Sequence, residues 1–280
     1  MSVLQNKIDF AVVLHVKHAN PNGDPLNGNR PRTDYNGFGE ITDVCLKRKI
    51  RDRLQDSGFG IFVQSDDRKN DDATSLRDRA DKALGKQFGS KETTKLACER
   101  WLDVRTFGQL FALPKSKKAK ASEEEGDTGM SIPIRGPVTI QSAFSLQPVE
   151  VTSTQITKSV SGDGDGTKRG SDTMGMKHRV DDGVYVFYGS MNPQLAERTG
   201  FSDEDAAAIK LVLPKMFEND ASSARPEGSM EVLKLIWWKH SSKAGQYSSA
   251  KVHRSLSITL TGEISIAPLD GLNPEIIDGF

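Results

Sequence analysis

Apolar positions fall into runs whose spacing alternates between that of a strand and that of a helix. Ile8 to Lys17 reads I-D-F-A-V-V-L-H-V-K, largely apolar and β-branched, the pattern of a buried central strand. A loop dense in Gly, Asn and Pro follows. A helix then begins near Thr42 or Asp43, both acceptable N-caps. At about 100° per residue, Leu46, Ile50 and Leu54 form one stripe, with Lys47, Arg48 and Arg51 along one flank and Lys49 and Arg53 along the other. Leu76 to Leu102 is helical in pattern but highly charged. Trp101 to Leu113 is compact and apolar, with Asp103 and Arg105 embedded. Ile132 to Val151 is strand-like, bent at Gly136-Pro137. Gly183 to Gly189 is a strand with Tyr185 and Phe187 on one face and Val184, Val186 and Tyr188 on the other, which reads as a core strand. Ser202 or Asp203 caps a helix continuing through Ala206–Phe217. Val232 to Lys239 and Leu256 to Leu260 are two more strands.

With the insertions removed, the order is strand, helix, strand, strand, helix, strand. That predicts an α+β fold with a ferredoxin-like core, the core of RNA-recognition domains. Ser57 to about Arg100 reads as an inserted helical lobe. Lys115 to Gly129 carries a K-x-K-K-x-K block and then E-E-E-G-D, the pattern of a flexible loop.

Composition narrows the partners. The chain has 280 residues, with 38 Lys and Arg against 38 Asp and Glu, so the net charge is zero. This argues against a tail-driven nucleic-acid binder and leaves room for a local basic groove balanced elsewhere. Cys45 and Cys98 are the only cysteines and make no disulfide framework, so a cytoplasmic location is expected. No apolar run approaches the roughly 20 residues of a membrane span, and no membrane partner is expected.

The loop and the helix after it carry the chemistry. Gly23 and Gly28 have Walker-like spacing, but Asn29 and Arg30 follow where Lys and Ser or Thr would be needed, which excludes nucleotide hydrolysis of that type. Two readings of the loop stand: a turn needing positive φ at Gly23, Gly28 and Gly39, or a phosphate-backbone site whose amides converge. The helix favours the second, because Asp52 is the only acid between Lys47 and Arg53. Further on, 163–166 reads D-G-D-G, but Lys168 and Met174 fall where a calcium loop needs Gly and Glu. Lys168, Arg169, Lys177, His178 and Arg179 surround Met174 and Met176, which suits either a hairpin wedging between bases or a disordered loop. Asp34, close to Arg30 and Arg32, is either a turn residue or a carboxylate for metal-assisted RNA cleavage. The five histidines form no ligand cluster, and neither a metal nor a cofactor is expected.

Five motifs in order resemble a known family: N-P-N-G-D-P-x-x-x-N-x-P-R at 20–32, I-T-D-V-x-x-K-R-x-I-R at 41–51, D-V-R-x-F-G at 103–108, R-G-P-V at 135–138 and G-M-K-H-R-V-D-D-G-V-Y at 175–185. Together they are similar to the repeated backbone subunit of type I CRISPR Cascade, closest to type I-C, within the RAMP superfamily. The resemblance implies an RNA-recognition-like palm (1–56, 101–151 and 181–280), helical fingers at 57–100 and a β-hairpin thumb at 152–180. It also implies a non-catalytic role. Copies would stack head to tail along one CRISPR RNA and leave its bases free to pair with target DNA. Other partners would be the Cascade large and small subunits and the guide-processing end subunit. Asn20, Asn22, Gly23, Asn27, Asn29, Arg30 and Arg32, with Lys47, Arg48, Arg51, Arg105 and Arg135, would hold RNA. Lys168, Arg169, Met174, Met176, Lys177, His178 and Arg179 would serve from the thumb. The competing functions are a ribonuclease using Asp34 and an assembly protein that binds no nucleic acid.

Overall fold

The computed structural model describes residues 2–112, 131–159 and 174–280. The charged loop at 115–129, the 163–166 repeat, Lys168 and Arg169 lie outside the described residues.

Strand β1 (Ile8–Ala19) is central and runs two residues past Lys17. Phe10, Val12, Leu14 and Val16 enter the main core, while Ala11 and Val13 enter a smaller core on the opposite face. Burial on both faces is why the sequence shows a continuous apolar run instead of alternation. A small hairpin follows, β2 (Gly23–Asp24) with β3 (Arg30–Pro31). Then β4 (Phe38–Ile41) leads into helix α1 (Asp43–Asp56). Thr42 caps α1, its Oγ1 accepting from Cys45 N at 3.3 Å. Leu46, Ile50 and Leu54 are fully buried, as the spacing predicts.

The expected helix over 76–102 is broken into α2 (Leu76–Leu84) and α3 (Thr93–Arg100), followed by α4 (Leu102–Phe107). Gly85 and Gly89 adopt φ of 55° and 91° between the first two, a left-handed conformation that no helix continues through. Strand β5 (Gly108–Ala112) then pairs with β6 (Ser131–Arg135). Phe62, Ala80, Leu84, Ala97 and Cys98 form a separate core that also takes in Trp101, Val104, Phe111 and Ile134.

The bent stretch predicted at 132–151 resolves into β6, β7 (Val138–Ile140) and β8 (Ala143–Pro148), with β9 (Val151–Thr157) beginning at its end. The strand expected at 183–189 is the inner part of an 18-residue β10 (Met174–Met191). Tyr185 and Phe187 are fully buried there. The outer part of β10 pairs with β9, from Met174 opposite Thr157 to Val180 opposite Val151. Two helices follow, α5 (Pro193–Thr199) and α6 (Asp203–Val212), the second opened by a Ser202–Asp205 capping box. The helical pattern expected to reach Phe217 gives way after Val212 to a 3-10 turn at Leu213–Lys215, because Pro214 has no N–H to continue an α-helix. The chain finishes with β11 (Met230–Lys239), α7 (Ser249–Arg254), β12 (Leu256–Ile258), β13 (Ile264–Ile266) and β14 (Pro274–Asp278).

Among the described residues the main sheet has the order β14-β11-β1-β10-β8-β4, with β7 and β9 also paired to β10, and its pairings are antiparallel. Strand β12 does not join it and pairs with β13. Helices α1 and α6 cover one face of the sheet. Val252, Leu256 and Leu272 cover the other, against Ile236 and Trp238. The molecule is a mixed α/β protein built on a large antiparallel sheet. Among the described residues no helix is long and apolar enough to cross a membrane.

Candidate nucleic-acid interface

The Gly/Asn loop is a closed hairpin. Asp24 Oδ1 accepts from Leu26 N, Asn29 N donates to Asp24 O at 2.8 Å, and Arg32 N donates to Asn22 O at 3.0 Å. Those three amides are spent inside the loop, as the turn reading of this segment requires. The glycines also act differently than expected. Gly28 does take φ of 58°, followed by Asn29 at 59°, but Gly23 and Gly39 are not in the left-handed region. They are needed for close approach: a Cβ at Gly23 would lie 2.1 Å from Asn29 Oδ1, and one at Gly39 would lie 2.2 Å from the Tyr185 hydroxyl.

Asn20 is buried and its Nδ2 donates to Asn29 O at 2.7 Å, closing the loop's base. Asn22 Oδ1 accepts from Thr42 N and from Thr42 Oγ1, tying the loop to the first turn of α1. These two asparagines build the loop, while Asn27 and Asn29 are exposed on it. Arg32 Nη2 sits 3.4 Å from Asp24 Oδ1. Asp34 Oδ1 accepts from Asn36 N at 2.8 Å and Phe38 N at 2.9 Å, so that oxygen closes a turn.

The five cations of α1 are all paired. Lys47 bonds Asp43 at 2.8 Å, and Arg48 lies 3.5 Å from both Asp52 and Asp220. Arg51 Nε bonds Asp103 at 2.9 Å and its guanidinium lies over the Phe107 ring. Lys49 and Arg53 are not on a solvated flank. Both are buried, Lys49 on Asp220 and Arg53 on Asp56 and the Glu218 carbonyl. The excess cations that the helix cannot neutralise by itself are answered by carboxylates from other elements. Asp103 is buried and also accepts from Phe62 N and Val63 N, which joins α1 to the helical lobe. Burial works to raise the Asp220 carboxyl, but Lys49 and Arg225 outweigh it and hold it below the usual carboxylate range.

Arg105 is committed elsewhere. Its Nε and Nη2 form a two-pronged pair with Asp205 at 2.9 and 2.8 Å, and its Nη1 donates to Cys98 O. That pins α4 to the start of α6 and commits the Arg105 guanidinium, expected to hold RNA, to an internal ion pair. Arg135 and Lys177, in contrast, are exposed and form no ion pair with a described residue. Met174 and Met176 are exposed, and Arg179 pairs with Asp181 at 3.1 Å. The loop and the β9–β10 arm meet at Ser153, whose Oγ lies 2.9 Å from Arg30 Nη1 and 2.8 Å from His178 Nδ1. Sequence reasoning missed Ser153, since a serine in a Ser/Thr-rich stretch carries no signal. It also missed Leu26 and Tyr35, both fully exposed at loop tips.

The arrangement offers exposed cations, exposed asparagine amides and an arm that carries Met174 and Met176, which suits a backbone-holding surface. Among the described residues no group of three or more His, Cys, Asp or Glu could hold a metal ion. Burial raises both thiols, Cys98 to about 11, so neither is a thiolate nucleophile near neutral pH.

Comparison with known proteins decides the family. The family model described as CRISPR-associated protein Cas7 matches residues 6–270. The chain belongs to the Cas7 family of CRISPR-associated proteins. A CRISPR-associated protein Cas7 of Haloferax volcanii is 30% identical over 236 residues, covering 78% of this chain and 66% of the relative. This Cas7-family chain thus aligns with just under two thirds of that relative's length. It is also similar to a chain of a solved CRISPR RNA-guided surveillance complex in a pre-nicking state, at 17% identity and a TM-score of 0.48, covering 83% of this chain and 75% of the other. A second CRISPR RNA-guided surveillance complex chain is similar at 16% identity and a TM-score of 0.42, covering 83% of this chain and 68% of that one.

Proposed function

We propose that this Cas7-family chain is a non-catalytic CRISPR RNA-binding backbone subunit of a type I-C Cascade. Copies stack head to tail along the guide and present it for pairing with target DNA, in the cytoplasm, beside the large, small and guide-processing subunits. The observation that carries this reading is the family match over 6–270. Strand order supports the finer architecture. The central strands β11-β1-β10-β8, with α1 after β1 and α6 between β10 and β11, have the order of a ferredoxin-like palm. The lobe around Phe62 and Trp101 would serve as fingers, and the β9–β10 arm as the base of a thumb.

The proposed RNA surface is narrower than the motif set. Asn27, Asn29, Arg135, Lys177, Met174 and Met176 are exposed, and Arg30, Arg32, His178, Lys47 and Arg48 are partly exposed. Arg51 and Arg105 hold the framework instead. Reversing Lys47, Arg48 and Arg51 together would set Glu beside Asp43, Asp52 and Asp103, so loss of RNA there would not separate binding from folding. The better variant is Arg135→Glu with Lys177→Glu, because neither residue has an ion pair to lose among the described residues. Wild type is expected to carry guide RNA through purification, with a raised 260/280 absorbance ratio, and the double variant to lose it at unchanged Tm. A protein-only ratio in the assembled wild type would favour an assembly protein without nucleic acid.

A further inference from the structure

Three strands place three side chains on one hydroxyl. Arg30 Nη1 of β3 donates to Ser153 Oγ of β9, and His178 Nδ1 of β10 lies on the same oxygen. Ser153 and His178 are cross-strand partners, whereas Arg30 arrives from the Gly/Asn hairpin, 123 residues earlier in the chain. A guanidinium only donates, so the Ser153 oxygen accepts from Arg30. The hydroxyl keeps its single hydrogen, and turning it to His178 Nδ1 fits the His178 tautomer with its proton on Nε2. Strand β3 packs against β10 here, and the remaining Arg30 donors have no side-chain partner among the described residues.

We propose that Ser153 is a positioning residue for RNA binding. It locks the Gly/Asn hairpin to the foot of the β9–β10 arm and aims the free edge of Arg30 at a phosphate lying between them. A planar guanidinium gripped at one nitrogen is restricted in orientation, so less side-chain freedom is lost when phosphate binds. The proposal rests on the RNA-binding reading and adds a part to that same site.

Two readouts in the free protein test the joint, and a third tests its use. Nitrogen-15 NMR of the histidine ring is expected to show His178 protonated on Nε2 in wild type and in Ser153→Thr, and a tautomer mixture in Ser153→Ala. Hydrogen exchange at the Asn29 and Arg32 amides is expected to quicken in Ser153→Ala and to recover in Ser153→Thr. Binding of a short unstructured RNA at fixed salt should weaken about tenfold in Ser153→Ala and return with Thr, Tm being unchanged. Adding Ser153→Ala to Arg30→Ala should cost nothing more. A His178 tautomer and loop exchange indifferent to Ser153→Ala overturn the joint, whatever RNA does. Wild-type RNA binding that is equal in Ser153→Ala overturns its role in binding. A wild type that binds no RNA overturns the RNA-binding reading, while the response of the His178 ring and of loop exchange to Ser153→Ala still decides whether the joint exists.

Discussion

Gly23 and Asn29 approach so closely that a Cβ at position 23 would fall 2.1 Å from Asn29 Oδ1 and 3.0 Å from the Asn29 carbonyl oxygen. That carbonyl also accepts from the buried Asn20, so it has little room to move. Gly23→Ala is expected to destabilise the protein by about 1–3 kcal/mol, the cost typical of forcing atoms into a packed site. Urea unfolding measures it. Combining Gly23→Ala with Asn29→Gly should recover part of the loss, because the side-chain clash disappears while the carbonyl contact remains. A Gly23→Ala protein as stable as wild type would contradict the contact.

Asp220 forms ion pairs with the buried Lys49 and with Arg48 and Arg225. Removing it in Asp220→Ala strands Lys49 without a counter-charge, an expected loss of about 3–5 kcal/mol. The carboxyl is held below its ordinary value of 3.8 in the folded state. A depressed carboxylate stabilises the fold fully above its unfolded pKa and loses that contribution as pH falls through the folded one. The stability gap between wild type and Asp220→Asn should therefore be constant above about pH 5 and narrow progressively below 3.8. A gap independent of pH down to 2 would refute the assignment.

Arg105 and Arg135 look alike in sequence motifs and should behave oppositely. Arg105→Ala breaks a mostly buried two-pronged pair and is expected to cost about 3 kcal/mol in stability, with little effect on RNA affinity per folded molecule. Arg135→Ala should leave Tm unchanged and lower RNA affinity. It should also reduce the slope of log K against log salt by about 0.7, as one lost phosphate contact on a single strand requires. Thermal melts and salt titrations of both variants check the contrast.

Asp34 separates turn building from chemistry. Asp34→Asn keeps an oxygen for Asn36 N and Phe38 N and is expected to keep stability, whereas Asp34→Ala should lose about 1 kcal/mol. Purified assembly incubated with complementary labelled RNA and magnesium should leave that RNA intact with either protein. Regularly spaced cuts by wild type that vanish in Asp34→Asn would establish a ribonuclease instead.

The sequence alone determined what depends on local spacing and composition. The burial of β1, the Leu46-Ile50-Leu54 stripe, a helix start at Thr42 or Asp43 and the core strand at 183–189 were all legible, because period and capping chemistry are properties of neighbouring residues. The ordered motifs likewise carried the family. Only the tertiary structure decided which charges are spent. Lys49, Arg51 and Arg105 read as free cations until Asp220, Asp103 and Asp205, each far from its cation in sequence, closed on them. An ion pair between distant segments leaves no periodic trace in either one. The same holds for Ser153, whose place beneath Arg30 and beside His178 exists because β3, β9 and β10 meet in space.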